Sequence, residues 1–199
     1  MRDLIWLIPA LPLAGFAVLV AAGKRLGEPL AGWLATVMVG ASFLVTVGVF
    51  LTARSHGGAE HRLTQHLFTW VVAGDFQVGL GFLVDPLSIS MCLFVTGIAT
   101  LIHLYSIGYM HGDPRYHQFF LYLNLFVFSM LMLVLGSNLL VTFLGWEGVG
   151  TCSYLLISFW QTRDSAATAG KKAFITNRVG DFGFMIAMFV AFKFIGSLA

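Results

Sequence analysis

Apolar positions dominate six long stretches of the chain, at residues 4–22, 30–53, 86–109, 114–135, 139–160 and 166–195. About 20 apolar residues in a helix cross a hydrocarbon core of roughly 30 Å, so each stretch predicts a membrane-spanning helix. Local chemistry marks several of their ends. Asp85-Pro86 and Asp113-Pro114 each place a carboxylate where it can accept from free helix N–H groups. The proline that follows needs no N–H in the first turn. Gly136-Ser137-Asn138 is a tight turn with Asn138 at the cap position, which makes the fourth and fifth helices antiparallel neighbours. Between the second and third helices the pattern changes. Residues 54–66 are polar and read as a loop. Then Phe68, Trp70 and Val72 alternate, as do Phe76, Val78, Leu80 and Phe82, on either side of Ala73-Gly74-Asp75. A period of two around a turn predicts a β-hairpin at the membrane surface, with an irregular interfacial loop as the alternative. The fold class expected is an all-α membrane protein of about six transmembrane helices plus a small extracytoplasmic β-hairpin.

Composition supports this reading and removes other classes. Of 199 residues only 10% are charged, where soluble domains carry about 25%. The net charge of +2, with no basic run among aromatics, argues against nucleic acid. Cys92 and Cys152 both lie in apolar runs, and their spacing fits neither a zinc site nor a disulfide framework, so they read as buried free thiols. Arg2 before an apolar run resembles a signal peptide. The run exceeds the 7–15 residues of a signal core, however, so a retained first helix is expected. Cationic loop residues set the orientation. Lys24, Arg25, Arg115, Arg163, Lys171 and Lys172 fall on one side, against Arg2, Arg54 and Arg62 on the other. This places the loops 1–2, 3–4 and 5–6 in the cytoplasm (or mitochondrial matrix) and the hairpin outside.

The chemistry lies in the polar residues that interrupt these spans. Glu147 is the only charge between residues 139 and 160. An ionisable side chain near the bilayer centre costs about 2.5–3.5 kcal/mol on insertion scales and is a functional residue by default. Gly150, Thr151, Tyr154 and Ser158 share its helix face, with Val141, Val149, Leu156 and Phe159 opposite. Gly145, Gly148 and Gly150 permit close approach of a neighbouring helix. Burial and a nearby cation act on a carboxyl in opposite senses, and a carboxyl balanced between them can take up and release a proton. A paired structural glutamate is the alternative. On the sixth helix Lys171, Phe174, Arg178, Asp181 and Met185 form one stripe, with Arg178 and Asp181 able to pair at i, i+3. A self-neutralising structural pair would read the same way. Lys171, Lys172 and Lys193 can extend to the membrane surface. His103 in the third helix suits either proton relay or a packing role. His111, Asp113 and His117 read as solvated loop residues, and His56, His61 and His66 fit no single helix face. The sequence contains no Walker A loop, no GxGxxG, no cysteine cluster and no nucleophile–His arrangement. Carboxylate, guanidinium, amine and imidazole remain, and these are groups that move protons. No cofactor and no metal site is expected in this chain.

GFLVDPLSISM (81–91), FLGWEGVGTCSYLLISFW (143–160) and KKAFITNRVGDFGF (171–184) closely resemble the antiporter-like membrane subunit of respiratory complex I. This family comprises subunit L of bacterial NADH:quinone oxidoreductase and chain 5 of the mitochondrial complex. The resemblance covers nearly all of the chain, the first two helices matching only in character. It implies proton translocation driven by quinone reduction elsewhere in the complex. It further implies that Glu147 is the essential fifth-helix glutamate, that Arg178 and Asp181 modulate it, and that Lys172 is the family lysine before the Ala-Phe pair. Lys172 and His103 are the weaker candidates. NADH, flavin, iron–sulfur clusters and quinone then belong to partner subunits. The implied partners are antiporter-like neighbours, lipid and protons, and the implied location is a bacterial plasma membrane rather than a mitochondrial one. Residues 1–84 become an N-terminal two-helix region with its hairpin, and residues 85–199 the start of the translocating helical unit. Family members are far longer, so the chain corresponds to an N-terminal portion. Their lysine partner for the glutamate, on a seventh helix, lies outside it, which leaves Glu147 without its cation. A Mrp-type Na⁺/H⁺ antiporter subunit and a purely structural membrane scaffold are the rival expectations.

Overall fold

The computed structural model describes residues 4–55, 62–73 and 76–198. Arg2, His56, His61 and the Gly74-Asp75 turn lie outside the described residues. The elements in chain order are α1 (Leu7–Leu26), α2 (Leu30–Ser55), β1 (Leu63–Ala73), β2 (Phe76–Val84), α3 (Pro86–Tyr109), α4 (Tyr116–Leu135), α5 (Leu139–Ile157) and α6 (Asp164–Ile195). Five helices, α1 to α5, are long and apolar enough to cross a membrane. The sixth expected span, residues 166–195, lies within the 32-residue α6, which is more polar than the others because Lys171, Lys172, Arg178 and Asp181 interrupt it. The protein is a multi-pass membrane protein with a small antiparallel hairpin.

The caps decide where the helices begin. Asp85 and Ser88 form a reciprocal capping box at α3, so that helix starts at Pro86 as expected. The Ser88 backbone N–H holds the Asp85 carboxyl below its usual range. Asn138 accepts from the Val141 N–H at 3.0 Å and starts α5. Asp113 does not cap α4. Its carboxylate is occupied by the Arg115 N–H at 2.8 Å and the Trp160 indole N–H at 3.1 Å, so the helix begins later, at Tyr116. The hairpin also begins earlier than the sequence predicts, since β1 starts at Leu63 and takes His66 out of the loop. Two register irregularities interrupt the pairing, between His66 and Phe68 and between Thr69 and Val71. Val78, Phe82 and Val84 of β2 are buried, whereas Phe68, Trp70 and Val72 of β1 are exposed.

α4 is the central helix, packed against α1, α2, α3 and α5, while α6 packs on α5. One end of the bundle carries the hairpin, tied to the α4–α5 turn by Asn138 Nδ2 donating to the Gly79 carbonyl at 2.7 Å. The Trp6 N–H donates to Gln65 at the same end. The opposite end carries the other loops. There Glu28 pairs with His111 and accepts from the Gly112 N–H at 3.1 Å. That N–H, and then the His111 side chain, hold the Glu28 carboxyl below its ordinary range. A depressed folded value means the tie is present above the unfolded value and is lost as pH falls through the folded one. Wild-type thermal stability should therefore fall more steeply in acid than that of Glu28→Gln, and parallel melting curves from pH 7 to pH 3 would count against the tie.

Glycine lets α5 approach α4. A Cβ on Gly145 would meet the Leu133 amide nitrogen, with Leu133 Cα at 2.6 Å and Ser129 O at 2.8 Å. All three are backbone atoms that cannot swing aside. Gly145→Ala should therefore destabilise the chain by about 1–3 kcal/mol, the usual cost of overpacking. Gly183→Ala is the control, since nothing lies within 4 Å of its would-be Cβ. Melting in detergent should separate the two, and equal melting temperatures would refute the packing argument.

Candidate functional site

Glu147 sits midway along α5, and Arg178 and Asp181 midway along α6. The two helices meet along small residues. A Cβ on Gly150 would lie 3.4 Å from Asn177, and one on Gly170 would lie 2.8 Å from Ser158. Between these points Tyr154 packs on Phe174, ring centroids 5.4 Å apart. The face of α5 that the sequence marked as small and polar thus packs on α6. Val141 and Phe159, from the opposite set, are buried elsewhere in the bundle.

This packing assembles a cluster of four side chains. Arg178 contacts Glu147 Oε2 at 2.6 Å and Asp181 Oδ2 at 3.4 Å. Asp181 is 4% exposed, and its second oxygen accepts from the Trp146 indole N–H at 2.8 Å. The Trp146 ring stacks on Phe184, and Phe174 lies under the guanidinium, 4.5 Å from its centroid. One cation therefore stands between two carboxylates, with the shorter contact made across helices. Glu147 thus has a cationic neighbour within this chain, Arg178. The guanidinium reaches it because glycine at 150 and 170 brings α6 close to α5.

The remaining candidates lie elsewhere. Lys172 is exposed, six residues before Arg178, and takes part in no ion pair among the described residues. His103 is 1% exposed in α3 and faces α4, with its ring 6.2 Å from that of Phe120. Neither joins the Glu147 cluster. Trp146 was missed by sequence reasoning. The available signal was an indole N–H in an apolar span, a donor for which hydrocarbon offers no acceptor even though the residue is 45% exposed. Trp146→Phe keeps the stacking and removes the donor to Asp181. It should cost about 1.5–3 kcal/mol, the range for hydrogen bonds to charged groups. An unchanged melting temperature would show that this bond does not hold Asp181.

Comparisons with known proteins converge on one group. Residues 70–120 match the family model described as NADH-ubiquinone oxidoreductase (complex I), chain 5 N-terminus. Residues 136–199 match the model NADH:quinone oxidoreductase/Mrp antiporter, TM. NADH-quinone oxidoreductase subunit L of Mycobacterium tuberculosis is 47% identical over 199 residues, covering 98% of this chain and 30% of the relative. The Escherichia coli subunit L is 42% identical over 188 residues, covering 94% and 30%. Chloroplastic NAD(P)H-quinone oxidoreductase subunit 5 of Nephroselmis olivacea is 43% identical over 199 residues, covering 97% and 30%. The chain thus spans about 30% of the length of these relatives. Among solved structures, a chain of an archaeal membrane-bound sulfane sulfur reductase shares the fold. Its TM-score is 0.81 at 16% identity, over 100% of this chain and 38% of that one.

Proposed function

The chain belongs to the family of the antiporter-like subunit L (chain 5) of NADH:quinone oxidoreductase, and from that premise we propose that it supplies a proton-exchanging site to the membrane part of such a complex. The observation that supports this is the single guanidinium set between two carboxylates at mid-span. A proton arriving on Glu147 weakens its contact with Arg178, which then leans toward Asp181, already 3.4 Å away and held by Trp146. Loss of the proton reverses the step. Glu147 is the exchanging group, Arg178 and Asp181 set its charge environment, and Trp146 positions Asp181. Lys172 and His103 are outside this exchange.

In this reading NADH, flavin, iron–sulfur clusters and quinone belong to partner subunits, whose electron transfer drives the exchange. The neighbours are other antiporter-like membrane subunits. The membrane is a bacterial plasma membrane, with the α1–α2, α3–α4 and α5–α6 loops on its cytoplasmic side. Residues 1–84 form the N-terminal region and residues 85–199 the start of the translocating unit.

The test is proton uptake into inside-out vesicles driven by NADH, with Glu147→Ala in the full-length subunit. Unchanged pumping at an unchanged quinone reductase rate would overturn the proposal. Sodium flux through the protein in vesicles without NADH would favour the antiporter reading instead.

A further inference from the structure

A cavity of about 350 Å³ opens on the side of the bundle where α3, α4 and α5 meet. Leu123, Phe126 and Met130 line it from α4, Ile98 and Ile102 from α3, and Leu156 from α5. Its exposed surface is apolar throughout. Ile98 is 52% exposed and Ile102 48%, so the cavity is a furrow on the outer surface of the bundle, open to hydrocarbon. An apolar furrow alone takes any hydrocarbon chain. What selects an occupant lies at its end.

The end of the furrow away from the hairpin is cationic. Leu123, Phe126 and Met130 follow one face of α4, and Phe119 continues it by one turn toward Arg115 at the N-cap. The Arg115 guanidinium lies 4.7 Å from the centroid of Phe159. That ring packs edge-on against Phe119 at 5.4 Å and stands three residues beyond Leu156. Arg115 is therefore fixed above the furrow from both α4 and the end of α5. Beside it the Arg163 guanidinium lies 4.9 Å from the Trp160 ring. Neither guanidinium takes part in an ion pair among the described residues. Asp113 is already occupied by the Arg115 backbone N–H and the Trp160 indole N–H. Asp164 lies in the first turn of α6, where helix N–H groups offset its charge. The third carboxylate of these loops, Glu28, pairs with His111. The aromatic faces thus hold two guanidinia in place and leave their N–H groups for an acceptor from outside, for which phosphate is a strong match.

The distance between the two halves fits a lipid. Arg115 and Phe126 are eleven residues apart along α4, about 16 Å at 1.5 Å per residue. One leaflet contributes half of a hydrocarbon core of roughly 30 Å. A headgroup at Arg115 therefore places its tail in the furrow. We propose that the furrow binds an anionic phospholipid, with one acyl chain against α3, α4 and α5 and its phosphate held by Arg115 and Arg163 at the end opposite the hairpin. Basic pockets between membrane helices recognise anionic headgroups in this way. The site is separate from Glu147, which faces α6, and it stands whether or not Glu147 exchanges a proton.

Photoactivatable phosphatidylglycerol and phosphatidylcholine, identical in their tails and reactive at the tail end, test this. The full-length subunit is assembled in its complex in lipid nanodiscs, and labelling of α3–α5 peptides is read by mass spectrometry. Phosphatidylglycerol should label the furrow over phosphatidylcholine by more than about fivefold, the factor that one cation near a membrane surface supplies. Arg115→Gln should cut that preference by about fivefold, and Arg115→Lys should keep most of it. Phosphatidylcholine labelling should stay the same in both, which reports an intact furrow. Arg163→Gln, at an exposed loop position, should lower the preference in the same direction and serves where Arg115→Gln does not assemble. Equal labelling by the two lipids, or a preference that both arginine variants leave unchanged, overturns the proposal. So does no labelling by either lipid, which would mean that protein covers the furrow. Loss of the preference to inorganic phosphate at constant ionic strength would make this a site for a soluble anion and overturn it too.

Discussion

Glu147→Gln in the full-length subunit should reduce NADH-driven proton uptake by about tenfold or more, whereas Glu147→Asp should retain a measurable fraction. Glutamine keeps the shape of the side chain and can still meet Arg178, but it cannot hold and release a proton. Positioned acid–base groups contribute about 10²–10⁴-fold to proton-transfer steps, so a loss of about tenfold is a conservative floor below that range. Aspartate keeps the carboxyl and shortens its reach, and the 2.6 Å contact with Arg178 will lengthen. Stability should change little. Arg178 keeps Asp181 as its partner and its side chain is 44% exposed, so Glu147→Gln strands no buried charge and loses only a partly exposed pair. A Gln variant that melts normally and fails to pump separates chemistry from packing. A Gln variant that pumps at the wild-type rate would leave the structural scaffold as the better reading. Uptake is followed with a pH-sensitive dye, and NADH oxidation is measured in parallel to separate coupling from electron transfer.

How much of this was legible in the sequence depends on whether the cause was local. The start of α3 was readable because Asp85, Pro86 and Ser88 form the cap within four residues. Asn138 was readable for the same reason. Asp113-Pro114 carried the same local signal and failed, because Trp160, 47 positions away, takes one of the carboxylate oxygens. In the hairpin, alternation correctly located two strands. The register irregularities and the packing of the bundle then decided that the β2 face, and not Phe68, Trp70 and Val72, is buried. The site divides along the same line. Spacing alone pairs Arg178 with Asp181, and the structure keeps that contact as the longer one. The shorter contact, to Glu147, depends on how α5 and α6 approach each other. That approach is fixed by which glycine meets which side chain, here Gly150 with Asn177 and Gly170 with Ser158. No periodicity along one helix encodes the rotation of the next. Trp146 escaped for a related reason. It lies off the i, i+4 stripe of Glu147, yet it reaches the same carboxylate cluster from the edge of the interface.

Removing the cation while leaving both carboxyls should be more damaging than removing cation and carboxyl together. Arg178 is 44% exposed at its side chain, Glu147 25% and Asp181 6%. Breaking a fully buried pair by deleting one partner costs about 3–5 kcal/mol, and partial exposure places Arg178→Leu lower, at about 1–3 kcal/mol. The cost falls mainly on Asp181, which is left with the Trp146 indole as its donor. Adding Glu147→Gln to Arg178→Leu removes one of the two stranded carboxyls, and contacting residues typically couple by about 0.5–3 kcal/mol. The double variant should therefore melt above the Arg178→Leu single variant. Arg178→Lys keeps a charged nitrogen, as the single Nη1 that meets both carboxylates does now, but it is shorter and loses the planar group that lies over Phe174, so it should fall between Arg178→Leu and the wild type. Pumping should follow the same logic. Once Arg178 is gone, Glu147 has lost the cation against which its proton is exchanged, so Glu147→Gln should add little further loss. If the two substitutions instead reduce pumping and stability additively, Glu147 and Arg178 act independently, and the shared cation is not the working part of the site.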